Sequence, residues 1–161
     1  MMSSSLKVFL ALLRIAAGLS LIGPGLMKFG WFGSALPLHD QFVNWAAAAP
    51  FPFVARYVNF MLPHAGALAR VVALGELGLG ALLVAGFLTP IAALLAAVMV
   101  LQFHFASGVM FDRHYLLGQN GLVYVLCFLV LFAGRAGQVL GLDGVLGRAV
   151  AGGGGAQGKA R

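Results

Sequence analysis

An arginine and a glutamate lie inside stretches that are otherwise apolar and long enough to cross a membrane. Arg14 interrupts the run 6–26, and Glu76 lies near the middle of 65–88. Insertion scales put a charge at a helix centre at about 2.5–3.5 kcal/mol, so such residues face a bundle interior, where they pair or serve a function. His104 lies in a third apolar run and Tyr124 in a fourth, and Arg70 lies in the same run as Glu76. The chemistry these side chains offer is proton exchange with a small polar headgroup. Glu76 is the candidate acid or base and His104 a hydrogen-bond donor or second relay. Arg14, Arg70 and Tyr124 are candidate contacts to the bound group, with Arg70 alternatively snorkelling to the outer headgroups.

The segments that carry them are set by composition. Hydrophobic residues make up 61% of the 161 and charged residues 9%, against roughly 25% charged in soluble domains. Four runs, 6–26, 65–88, 90–107 and 118–134, reach or approach the roughly 17–25 residues of a membrane helix. A barrel needs alternating strands with polar lumen positions, and these runs are continuously apolar. The expectation is an all-α, four-helix transmembrane bundle over residues 6–147, with disordered ends at 1–5 and at the Gly/Ala-rich 148–161. A cleaved signal peptide is not expected, since Arg14 breaks the apolar core of the first run and no small-residue cleavage site follows.

Charge placement predicts orientation. Lys7 at one end and Arg135, Arg148, Lys159 and Arg161 at the other outweigh Asp143. Four spans put both termini on one side, and the positive-inside rule makes that side the cytoplasm of a bacterial or archaeal inner membrane. The net charge of +6 then reflects this bias and attraction to anionic lipid. Clustered Lys/Arg on a polar face, as nucleic-acid binding requires, is absent. The outer loop 28–64 is long enough to hold an interfacial helix at 41–49, with Asp40 as its N-cap and Pro50-Phe-Pro52 as its stop. Phe42 and Trp45 share one side of it, as either an interfacial anchor or a lid over a quinone-sized entry.

Several chemistries are excluded. The single Cys127 rules out a disulfide framework, a C-x-x-C redox pair and a cysteine-based metal site. Only His104 lies deep, which leaves a bis-histidine haem unsupported. No phosphate-binding glycine loop or serine elbow is present, so no nucleotide or metal is expected.

Counting depth at about 1.5 Å per residue places Arg14 about 12 Å, Glu76 about 18 Å and His104 about 21 Å from the inner edge. An Arg14–Glu76 pair is therefore within reach, either as an interhelical clasp that sets registry or as part of a headgroup pocket. Small residues on the second run (Gly75, Gly78, Gly80) and the third (Ala92, Ala93, Ala96, Ala97) allow close helix approach, and the tight 86–90 connection makes these two a hairpin.

Taken in order, Arg14-Ile-Ala-Ala-Gly18 with Gly23, Gly25 and Lys28, then Glu76-Leu-Gly-Leu-Gly80 and Gly86-Phe-Leu-Thr-Pro90, then Asn120-Gly121 and Gly141-Leu-Asp143 resemble the DoxX family of four-helix membrane proteins. The resemblance covers roughly residues 8–147. It implies that Arg14, Lys28, Glu76, Asn120 and Asp143 are the family-type polar positions. It also implies kinship with membrane subunits of thiosulfate:quinone oxidoreductase, of a terminal quinol oxidase and of oxidative-stress complexes. The expected function is a quinone-interacting subunit of a membrane oxidoreductase, working with membrane lipid and a redox partner subunit. The alternatives are a non-enzymatic anchor or assembly factor, and a small-molecule or proton transporter. Homo-oligomerisation is left open.

Overall fold

The computed structural model describes residues 3–115 and 121–153. The first long helix, α1 (Ser4–Met27), starts where the Ser3 hydroxyl accepts the Leu6 amide at 3.3 Å, the usual side-chain cap for orphan amides. Pro24 lies inside it, and the helix continues one turn further to Lys28, whose amide donates to the Pro24 and Gly25 carbonyls. The loop end carries α2 (Leu36–Ala47) and α3 (Pro52–Met61), and a 3-10 turn joins α3 to α4 (Ala65–Ala85). Gly86, left-handed at φ 68°, closes α4. It leads within three residues into α5 (Thr89–Ala106), then α6 (Leu122–Ala133) and α7 (Leu142–Gly153). Among the described residues there is no strand.

This is an all-α helical bundle. Residues 4–27, 52–85 and 89–106 are long and apolar enough to cross a membrane. The expected fourth span is represented by the apolar α6, 12 residues long, and its expected start at 118 lies outside the described residues.

Three expectations are corrected. Asp40 does not cap the loop helix but lies within it, because Pro37 seats the first turn of α2 and Ser34 accepts the Leu36 amide at 3.3 Å. Pro52 does not merely stop that helix. It also starts α3, since a proline at the first helical position loses no bond that the helix would have made. The segment read as a tail from 148 is helical as far as Gly153.

The core is built from small residues. Ala92, Ala93 and Ala96 of α5 are fully buried beside Leu83 of α4 and Phe128 and Leu131 of α6. Without a hydrophobic driving force inside a bilayer, such close approach is what holds helices together. The tightest approach joins α1 and α4: a Cβ at Gly18 would fall 2.7 Å from the Gly80 carbonyl oxygen, and one at Gly80 would fall 2.8 Å from the Gly18 oxygen. A second core at the loop end packs α2 and α3 over α4, with Leu38, Phe42, Val54 and Val58 against Ala65, Ala69 and Val72. The predicted interfacial helix is thus one half of a two-helix roof.

Replacing Gly18 by alanine forces backbone apart and is expected to cost about 1–3 kcal/mol. Gly78→Ala, where nothing lies within 4 Å, should stay within about 0.5 kcal/mol of wild type. Equal unfolding midpoints for the two variants in detergent would show that the Gly18–Gly80 contact is slack.

Candidate functional site

Glu76 lies on α4 with 8% of its surface exposed. Its partner is Lys28, which reaches from the end of α1 to place its ammonium on Glu76 Oε1. Lys28 is held there by two aromatic rings, Trp31 at 5.4 Å and Phe103 at 5.8 Å from the ammonium nitrogen, a cation–π arrangement that partly replaces lost water. Glu76 Oε2 is buried and has no hydrogen-bond partner. A buried polar atom left unpaired costs about 1–3 kcal/mol, and Arg14 Nε, Arg14 Nη1 and Thr89 Oγ1 are in the same position elsewhere in the bundle.

A cavity of about 320 Å³ adjoins it, bounded by Ser20 and Pro24 of α1, Met99, Val100, Phe103 and His104 of α5, and Tyr124 of α6. His104 Nδ1 is bonded to the Tyr115 hydroxyl at 3.1 Å, with the two rings edge to face at 5.3 Å. Burial pushes the Tyr115 phenol above its usual value, so it stays protonated at neutral pH. Tyr124 and Ser20 share a hydrogen bond of 2.8 Å across the α1–α6 side of the cavity. The expected site residues Glu76, His104 and Tyr124 therefore meet in one pocket. A carboxylate, an imidazole and a phenol around one space can hold and exchange protons with a ligand that bears oxygen atoms.

Arg14 does not join them, which corrects the expected Arg14–Glu76 pair. The reason is register. Gly18 against Gly80 and Gly25 against Glu76 and Leu77 align α1 and α4 so that Arg14 falls level with Gly86, at the opposite end of the bundle from Lys28. Arg14 is fully buried there, and its Nη2 donates to the Leu140 carbonyl at 3.0 Å. Its Nη1 occupies the space that side chains at Gly86 and Gly141 would fill. Asp143 completes this clasp. Its carboxylate accepts the Leu88 amide at 2.8 Å and the Thr89 amide at 3.0 Å, and its own amide donates to Gly86 at 2.9 Å. An acidic group on the exposed amides of a helix start is favourable by geometry and by the helix dipole. Arg14 and Asp143 thus tie the α4–α5 turn to α1 and to the chain leading into α7.

Arg70 lies on the exposed face of α4, outside the lining of the cavity. Two polar residues here were not read as site residues from the sequence: Ser20, which lines the cavity, and Lys28, which pairs with Glu76 beside it. Lys28 counted only as a loop charge and a family-type position, yet a lone lysine directly after an apolar run is the kind of residue that can fold back onto a buried acid. Ser20, a hydroxyl among apolar neighbours, was the second available signal. Asn120 lies outside the described residues.

The DoxX family model matches residues 9–107. The chain belongs to the DoxX family. The matched range takes in α1 to α5, and with them Arg14, Lys28, Glu76 and His104, while Tyr124 and Asp143 follow it. Family and apolar helices together make this DoxX chain a multi-pass integral membrane protein. No curated protein and no solved structure matches it.

Lys28→Met is expected to destabilise the protein by about 3–5 kcal/mol, because it strands a buried carboxylate. Adding Glu76→Gln to it should recover most of that loss, and additive effects in this double-mutant cycle would show that the pair is not coupled. At the other end, Asp143→Ala should cost about 0.5–2 kcal/mol as a lost helix cap. Its unfolding transition should fall while the cavity beside Glu76, on the far side of Gly80, keeps its properties.

Proposed function

We propose that this DoxX chain is a quinone-binding subunit of a membrane oxidoreductase, with the headgroup seated between Glu76, His104 and Tyr124. The observation that carries the reading is the unpaired, buried Glu76 Oε2 beside a cavity. A purely structural role, as in an anchor or assembly factor, accounts for Arg14, which is spent on holding the α4–α5 turn. It gives no reason for a second carboxylate oxygen left without a donor.

The residues fit the group. Quinones supply two-electron redox chemistry coupled to protons at two ring oxygens. Glu76 Oε2, left open by the Lys28 pair, would accept the hydrogen bond or proton of one hydroxyl of the reduced, quinol form. His104, oriented by Tyr115, addresses the other oxygen, and the Tyr124 phenol closes the pocket towards α6. Pairing the acid with a cation through one oxygen leaves the other oxygen open to a ligand. With a single cysteine in the chain, the electrons come from a redox partner subunit. The basic residues at the end that carries both termini support a cytoplasmic-membrane location with that end inside. The polar pocket then lies towards the outer face.

Organic extraction and mass spectrometry of the purified protein test this. Near-stoichiometric quinone is expected in the wild type, falling about tenfold in a folded Glu76→Gln variant, a loss of one charge-assisted hydrogen bond. Background lipid alone in both would remove the reading.

A further inference from the structure

A second cavity, also of about 320 Å³, runs along the outside of α4 and α5 beneath α2. Its walls are apolar side chains from Leu68 and Val72 on one helix and Leu95 and Val98 on the other, with Gln102 as a polar exception. Phe42 and Trp45 of α2 form its roof, and Trp45 is braced edge to face on Phe103 at 5.8 Å. The groove extends along α4 from Leu68 to Leu79, about 16 Å at a helical rise of 1.5 Å per residue.

Two residues, Met99 and Phe103, line both this groove and the polar pocket. They stand between the two spaces. Met99 is unbranched and readily repacked, and it lies over Gly75, where a Cβ would come within 3.1 Å of its sulfur. Glycine at 75 therefore leaves Met99 its room. The other side of the polar pocket, between α1 and α6, is strung across by the Ser20–Tyr124 hydrogen bond.

We infer that the ligand enters sideways from the bilayer between α4 and α5, and that the groove holds its apolar tail while Met99 and Phe103 gate the head into the polar pocket. The occupant is an isoprenoid-like chain attached to the headgroup, so this inference rests on the quinone reading and adds the tail, its path and the gate. The supporting observation is that an apolar groove shares a wall, Met99 and Phe103, with a pocket that contains an unpaired buried carboxylate oxygen. A groove filled by annular lipid alone would need no such shared wall.

The test measures equilibrium binding of two benzoquinones, one with a short and one with a long isoprenoid chain, to the full chain in lipid nanodiscs. Two variants fill the groove without touching the polar residues. Gly75→Leu does so from the floor, and Val71→Phe does so from an exposed position at its edge (63% exposed), where a folding defect is not expected. Both should weaken the long-chain quinone about tenfold, equivalent to one unit in log Kd, and leave the short-chain quinone unchanged. No loss for either quinone, or equal loss for both in the folded Val71→Phe protein, overturns the tail groove while the headgroup reading stands. Failure of the wild type to bind either quinone removes the headgroup reading, and the proposed occupant of the groove with it.

Discussion

Gly18 and Gly80 bring the backbones of α1 and α4 into direct contact, and the polar residues of the bundle take their partners from that contact. In a bilayer the surrounding lipid is as apolar as a leucine, so two helices gain by approaching until backbone meets backbone. Once the two glycines are in register, Arg14 lies one turn below the contact, level with the α4–α5 turn. Lys28 lies beyond it, close enough to swing back onto Glu76. A shift of one helical turn, about 5.4 Å, would carry Arg14 away from the α4–α5 turn and Lys28 away from Glu76.

The result is a separation of labour between the two ends. At the end where α1 begins, a buried guanidinium and a carboxylate hold three pieces of chain together: α1, the Gly86–Thr89 turn and the segment entering α7. Both charges there bond to backbone groups at chain turns, Arg14 through Nη2 alone, since its Nε and Nη1 have no hydrogen-bond partner. At the loop end, charge is used differently. Lys28 and Glu76 neutralise one another, yet one carboxylate oxygen is left over, and His104, Tyr124 and Ser20 gather around the same space. One end of the protein is a lock and the other is a site.

The roof made by α2 and α3 links the site to the membrane. Phe42 and Trp45 belong both to the loop-end core and to the groove, and Trp31 of the same core cradles Lys28. A group of rings, Phe51, Phe53, Tyr57, Phe105 and Phe111, packs at centroid distances between 5.1 and 6.2 Å, mostly edge to face, with Phe51 and Phe53 stacked in parallel. Such pairs favour one mutual orientation, so the roof is a rigid cover and not a loose loop.

Much was legible from composition and order alone. Apolar runs of membrane length named the class and three of the spanning segments, because hydropathy is a property of local sequence. The rarity of charge within those runs singled out Glu76, His104 and Tyr124, which do share a pocket, and the Gly86–Pro90 connection announced a hairpin. What the sequence could not supply was partnership. Counting depth from helix ends assumes that neighbouring helices start level, and it paired Arg14 with Glu76. Lys28 sat outside any run and so seemed a loop charge. Distances along one helix are set by its own rise per residue, but the offset between two helices is set by where their smallest residues touch. That is a property of two surfaces together, and only the folded bundle decides it.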